Sequence, residues 1–351
     1  MRPHPRWTAP GSGTTLCSGG REDSRCVRRV RLQSALEGIA PTSVRVADGV
    51  VYVLDRLAAS VYAHRASDGA FIRAIGRKGE GPGEVEQPMG VALQPGVVIL
   101  ADGASETEVF DTAGTYLRSI RPNGIVFGVE PLGTDRLLLR LFQSEDSPRW
   151  TVLGPSGEPR PLDPPAWLAE APEDVPECSS GATTGTTILH VDCALLRFQH
   201  ITVDGAVLWE ITVDRAPEYS TEAELDAHEK RIRGLLGRMG ARADEVDRMV
   251  REQREERRLK RIFRGIRRDA ETGRTWVWEQ APEDFGGGPA TLHLFDEGGV
   301  YLARVPFERA WFSFDAADGR VYALERDPET DLARLVAYDV EVPAVGMAER
   351  D

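Results

Sequence analysis

The stretch GRKGEGPGEVEQP, Gly76 to Pro88, sets four glycines and two prolines between the hydrophobic runs FIRAI and MGVAL. Three readings fit such a loop: a phosphate cradle, a cation loop, or a sharp crossing of the backbone from one sheet to the next. A phosphate loop needs a helix and a Lys-Ser/Thr after its glycines, and EVEQPMGVAL supplies neither. Glu80 and Glu84 are read as solvated charges rather than cation ligands. A crossing needs residues free to take positive φ and residues that hold a rigid bend, which are glycine and proline. The stretch is therefore architectural.

Outward from it, the same pattern recurs along the chain. DGVVYVLD (Asp48 to Asp55), PGVVILAD (Pro95 to Asp102), TDRLLLRL (Thr134 to Leu141), TGTTILHV (Thr184 to Val191), TGRTWVWE (Thr272 to Glu279) and DGRVYALE (Asp318 to Glu325) each put a turn before a β-branched or aromatic run. A second series follows these runs: SVYAHRASDG, TEVFDTAG, WTVLGPSG, QHITVDG, LHLFDEGG and RLVAYDV. Five of its members end in a glycine-bearing turn, the signal of a tight hairpin. Gly69, Gly114, Gly157 and Gly205 recur every 43 to 48 residues, whereas Gly205 to Gly298 spans 93. One unit and an insertion of similar length fit in that gap.

The insertion opens with STEAELDAHEKRIRGLLGRMG, where Thr221 and Glu224 form a capping box and Leu225, Ile232, Leu235, Leu236 and Met239 recur at helical spacing. A second helix is expected from Asp244 to Phe263, so that residues 218–265 make a helical hairpin with one apolar face against the β-domain. The remainder predicts an all-β chain: a six-bladed β-propeller of four-stranded antiparallel blades over residues 25–343, because sheets of this size cover one another when packed radially. The last unit ends after its third strand, and CVRRVRLQSAL within residues 25–36 is the expected donor of the closing strand. Residues 1–24 are expected to be a flexible leader and residues 344–351 a tail.

Gly76, Gly79, Gly81, Pro82, Gly83 and Pro88, followed by MGVAL, VVILAD and EVFDTAGTYLRSI, resemble one complete NHL-type propeller repeat over Gly76 to Ile120. Val85 departs from that pattern, which usually has an aromatic residue there, and VYAHRASDG lacks the Phe-Asp pair of the repeat. The layout is similar to bacterial six-bladed propellers carrying helices in their second half. That resemblance implies a fold, and an extracytoplasmic location, more than it implies an activity.

Composition narrows the function classes. A net charge of −13 repels a polyanion, so nucleic acid is disfavoured as a general partner. No apolar run approaches the roughly 18 residues that span a bilayer, and Thr8 to Leu16 lacks the apolar core of a signal peptide. Cys17, Cys26, Cys178 and Cys193 lack zinc-site spacing; Cys178 and Cys193 fit either a disulfide-closed loop in an oxidising compartment or two thiols.

Catalytic signals are sparse. His64 and His293 fall in third-strand runs and His190 in a second-strand run, which places them at different radii rather than in one metal site. Asp55, Asp102 and Asp111 end strands, where a carboxylate accepting turn N–H groups explains the recurrence without acid-base work. No Gly-x-Ser-x-Gly elbow occurs, and no cofactor is expected. In REQREERRLKRIFRGIRR the first half is laced with Glu-Arg pairs. The second half, with Arg257, Arg258, Lys260 and Arg261, then Arg264, Arg267 and Arg268, is a candidate interaction surface for an acidic partner or a membrane surface. The expectation is a monomeric, non-enzymatic propeller that binds a protein or small ligand and presents an apolar patch on one face. The alternative is a metal-assisted lyase or hydrolase, similar to the lactonase and amidating-lyase propellers, which needs His, Asp or Glu side chains converging on the channel mouth.

Overall fold

The computed structural model describes residues 6–7, 27–31, 40–103, 106–122, 124–142, 150–154, 159–161, 179–192, 197–213, 218–238, 242–256, 258, 260, 263–280, 289–307, 309–326 and 332–340. All four cysteines and the tail 344–351 lie outside the described residues, as does the leader 1–24 apart from residues 6–7.

Two short strands, β1 (Arg6–Trp7) and β2 (Val27–Arg31), precede the blades. The first blade is β3 (Pro41–Ala47), β4 (Val50–Asp55), β5 (Ser60–Arg65) and β6 (Phe71–Ile75); the second is β7 (Pro88–Gln94), β8 (Val97–Asp102), β9 (Thr107–Asp111) and β10 (Tyr116–Ile120). The third is β11 (Ile125–Leu132), β12 (Arg136–Phe142), β13 (Trp150–Leu153) and β14 (Pro159–Pro161). The fourth is β15 (Ser179–Thr184), β16 (Thr187–Asp192), β17 (Arg197–Thr202) and β18 (Val207–Val213), with β1 added in parallel to the outer strand β18. Helices α1 (Glu222–Arg238) and α2 (Ala243–Glu256) come next. The fifth blade is β19 (Phe263–Arg268), β20 (Thr275–Gln280), β21 (Ala290–Phe295) and β22 (Tyr301–Pro306). The sixth is β23 (Trp311–Ala317), β24 (Arg320–Arg326), β25 (Ala333–Val340) and, from the other end of the chain, β2. The molecule is a six-bladed β-propeller.

Residue alternation explains the ring. Successive side chains of a strand face opposite sides, and the second strands are apolar on both, so each blade needs a neighbour on each side. On β4, Tyr52 and Leu54 join Val91, Leu100 and Phe110 of the second blade, while Val51 and Val53 join Tyr322, Leu324 and Ala337 of the sixth. The same division gives one buried cluster to each of the six blade interfaces. Inner strands β3, β7, β11, β15, β19 and β23 contact their neighbours in turn, and β23 returns to β3. Two closures join the chain ends: β2 pairs antiparallel with β25, and the inner strands of the sixth and first blades are laced by side chains. There Ser313 Oγ accepts the Val44 N–H at 3.1 Å and Asp315 Oδ2 the Val46 N–H at 2.8 Å.

The glycine-rich crossing runs from β6 to β7 with Gly76, Gly79 and Gly83 at positive φ. Glu84 turns inward on it, accepting the Gly81 N–H at 3.0 Å and pairing with Arg77 at 2.8 Å, so it braces the bend. Val85 is fully buried in the interface of the first two blades, filling with an aliphatic chain the place where the resembling repeat carries an aromatic one. In the Asp-Gly turns, Asp48 and Gly49, and Asp318 and Gly319, all have positive φ, the two-residue hairpin geometry that matches strand twist.

At the start of α1 the Glu224 N–H donates to Thr221 Oγ1 at 3.3 Å, and Glu224 Oε2 accepts the Thr221 N–H at 2.7 Å. Leu225 and His228 of α1 and Val246 and Val250 of α2 are buried, and the helices contact each other. Arg254 ties them by pairing with Glu222, Asp226 and Glu229. The feet of the hairpin are joined where the Ser220 N–H donates to Arg258 O and the Lys260 N–H to Glu218 O. The second helix ends at Glu256 and not at Phe263: Phe263 and Ile266 enter the interface with the fourth blade, and burial there outweighs helical periodicity. The basic run is thus divided between the hairpin's stem and an inner strand.

Gly83 and Gly96 both adopt positive φ, but a Cβ at Gly83 meets the Tyr116 side chain at 3.0 Å and one at Gly96 meets nothing within 4 Å. Gly96→Ala should therefore lose only the conformational term of about 1–2 kcal/mol, and Gly83→Ala more. Urea unfolding of both variants checks this, and equal losses would show that the crossing does not depend on close packing over β10.

Candidate functional site in the central channel

The inner strands share a local pattern. In five blades the ladder to the second strand has a bulge just before a small residue: Ser43, Gly90, Gly128, Gly265 or Ser313. Gly181 takes the equivalent place in the fourth blade, opposite His190. Bulges re-aim the residues that follow, and two positions on stand Arg45, Ala92, Glu130, Thr183, Arg267 and Asp315.

Four of these form a charged ring. Arg45 Nη2 in the first blade lies 2.6 Å from Glu130 Oε1 in the third, and the same oxygen is 3.4 Å from Arg267 Nη1 in the fifth. Arg267 Nε is 3.8 Å from Asp315 Oδ1 in the sixth. Pairs between non-adjacent blades must cross the space the inner strands enclose, and small Ala92 and Thr183 leave the way open. The four side chains are only 12–17% exposed. Burial pushes the Asp315 carboxyl up, against the pull of Arg45, Arg267 and two backbone N–H bonds. Burial, and then the like charge of Arg45, pushes Arg267 down, although an arginine stays protonated. The Nε groups of Arg45 and Arg267 have no hydrogen-bond partner.

Against this ring lies a partly enclosed cavity of about 220 Å³. Gly128, Gly181, Gly265 and Ser313 line it, and at Gly128 the missing side chain leaves open space, with only Arg140 Cβ near where a Cβ would sit. Trp150, Trp278, Phe312 and Phe314 supply apolar walls, and Glu130, Arg140, Arg264 and Arg267 the charge. The Trp150 ring lies over Gly181, 3.2 Å from where a Cβ would sit, and Trp278 meets Phe314 edge to face at 5.8 Å. The cavity borders the halves of the inner strands where the chain enters each blade. The helical hairpin, between β18 and β19, is inserted at that same end.

The residues singled out from the sequence disperse. Of the basic run, Arg264 lines the cavity, Arg267 joins the ring and Arg268 pairs with Glu297. Arg258 pairs with Glu255 and Lys260 with Glu224, and Arg257 and Arg261 lie outside the described residues. His64 Nδ1 donates to Gly69 O, His190 is buried in β16, and His293 bonds Glu279 at 2.5 Å inside the fifth blade. Among the described residues no three His, Cys, Asp or Glu side chains gather in a metal-binding group. Asp55 accepts the Leu57, Ala58 and Ala40 N–H groups, Asp102 those of Glu86 and Gln87, and Asp111 that of Thr115. Asp55 and Asp102 therefore clamp the strand entering their own blade. Among the described residues, exposed apolar side chains are scattered over outer strands, as Phe71, Leu117 and Leu208, the start of β11, as Ile125 and Phe127, and turns, as Leu57 and Val300. The ring and the cavity went unread because the first strands carry the least hydrophobic signal. Aligning MGVAL, FGVEP, SGATT, RGIRR and FSFDA would have exposed their shared small residue.

A family model described as a 6-bladed beta-propeller (DUF5128) matches residues 37–95. Two solved structures of the same architecture have a TM-score of 0.58: a candidate exported protein of Bacteroides fragilis and a DUF4221 family member of Bacteroides vulgatus. The first is 12% identical and covers 90% of this chain and 95% of its own; the second is 9% identical and covers 91% and 100%. The structure of U3-55K follows at a TM-score of 0.52, 10% identity and coverage of 90% and 99%. A search of curated proteins gives no significant match. These likenesses concern the fold. No helix of the described residues is long and apolar enough to cross a membrane.

Burial lowers His190 from 6.5 to about 4, so the folded protein holds this imidazole neutral. The unfolded chain takes up the proton near its ordinary pKa, and the folded chain only near the depressed one. Stability is thus complete above that ordinary pKa and falls as the pH drops to about 4, by on the order of 3 kcal/mol from this residue. His190→Gln should flatten the fall without abolishing it, because His200 is also lowered to about 4. Urea titrations at about pH 7.5 and about pH 4.5 measure the difference, and an unchanged slope would contradict it.

Proposed function

We propose that this protein is a non-enzymatic binding propeller of the NHL-like kind that takes a small ligand in its central channel. The cavity carries the reading: it is concave, glycines and aromatic residues line it, and charged groups converge on it, as polar groups do in a ligand site. At about 220 Å³ it is smaller than the roughly 300–1,000 Å³ of drug-sized pockets, which selects a compact ligand. Rigid blades hold the walls, and the crossings between them supply variable surface. A monomeric, extracytoplasmic protein is the accompanying proposal, supported by the family resemblance.

Gly128 offers a direct test, since a Cβ there has only Arg140 Cβ nearby, at 3.9 Å, and the backbone is not at positive φ. Gly128→Leu should fold and fill the cavity. In a thermal-shift screen of small metabolites, compounds that stabilise the native protein by about 2.7 kcal/mol at about a hundredfold excess over Kd should have no effect on the variant. Equal stabilisation of both proteins would remove the channel as the site.

A further inference from the structure

We infer that the channel cavity is built for an organic carboxylate with a flat apolar body, and that Glu130 occupies the carboxylate position when the site is empty. This rests on the small-ligand reading above and names its ligand class. The first support is charge: three guanidinium groups and one carboxylate line the cavity, in a chain with 56 acidic and 43 basic residues. Arg140 and Arg264 have other contacts as well, so the argument turns on Arg267. Its Nη1 donates to Ile266 O at 2.9 Å and stands 3.4 Å from Glu130, longer than a good charge-assisted bond. Its Nε is buried without a hydrogen bond, 3.8 Å from Asp315 Oδ1. A guanidinium fork whose two carboxylate contacts are both long, fixed on an inner strand, matches a carboxylate edge-on.

The second support is Glu130 itself. One of its oxygens is shared by Arg45 and Arg267, so the ring already accepts a carboxylate, and Arg45, at 2.6 Å, is the firmer partner. An incoming carboxylate can take Arg267 while Glu130 stays with Arg45. A phosphate dianion fits less well, because the Glu130 charge remains beside it. The third support is shape. Trp150, Trp278, Phe312 and Phe314 line the cavity, Trp278 and Phe314 as largely buried rings. Such walls take a planar hydrocarbon in van der Waals contact.

The probes are benzoate, phenylacetate and indole-3-acetate, with their uncharged amides and phenyl phosphate, titrated calorimetrically into the full chain. At least one carboxylate should bind about tenfold more tightly than its amide, the scale of a charge-assisted hydrogen bond. Arg267→Gln should remove that preference and Arg267→Lys should weaken it, whereas Glu130→Gln, which frees Arg267 of its competitor, should raise carboxylate affinity. The comparison of acid with amide on the unaltered chain keeps the test decisive should variants of the buried ring fail to fold. No carboxylate binding up to about 10 mM, equal binding of amide and acid, tighter binding of phenyl phosphate, or weaker carboxylate binding by Glu130→Gln would each overturn the assignment. If amides bind as well as acids and Gly128→Leu blocks both, the small-ligand reading stands and the carboxylate class falls.

Discussion

A four-stranded sheet that is apolar on both faces cannot rest until both faces are covered, and the whole molecule follows from that demand. Val51 and Val53 turn one way from β4 and Tyr52 and Leu54 the other, each into a different neighbour's core. A stack would leave two apolar faces bare at its ends, whereas a ring leaves none. The ring also removes the problem of where the sixth blade finds its last strand, since β2 arrives from the opposite end of the chain. Its backbone bonds with β25 and the Ser313 and Asp315 contacts to the first blade fasten the same junction at two radii.

Ring closure brings six inner strands around a narrow axis, and the side chains there obey a different rule from those in the blades. Large apolar residues would collide across the axis, and charged ones would be stripped of water. The chain resolves this with small residues at one level and mutually neutralising charges at the next. Arg45, Glu130, Arg267 and Asp315 come from four blades and satisfy one another only when those blades hold their angular positions. A buried ionic set of this kind contributes little net stability but strongly penalises the loss of one member. Glu130 and Arg267 belong both to this set and to the lining of the cavity beside it.

The blades are not equivalent, and their differences point to the same side of the channel. Asp55 and Asp102 clamp incoming backbone in the first two blades, but the corresponding positions of the fifth and sixth are Glu279, bonded to His293, and Glu325, bonded to the Tyr338 hydroxyl. The interface of those last blades is aromatic, with Trp276, Trp278, Phe307, Trp311 and Phe314, where the others are mainly aliphatic. Broad rings pack with gaps that branched aliphatic chains would close, and Trp278 and Phe314 reach the cavity from that interface. The helical hairpin enters between the fourth and fifth blades, next to this specialised region.

Hydrophobic alternation, Asp-Gly turns and a period of about 45 residues made the blades, their number and the inserted hairpin readable from the chain, because these are local signals repeated many times. The Gly76 to Pro88 crossing was legible for the same reason: positive φ and rigid bends restrict residue type at the position itself. The end of α2 and the site were not. Phe263 looks like the last turn of a helix until the fourth blade offers it a buried face, and Arg267 looks like one charge in a basic run until Glu130, far away in sequence, crosses the axis to meet it. A residue's type determines which local conformations it tolerates, but which charges become neighbours and which glycines border empty space depends on the closed ring, and only tertiary structure decides that.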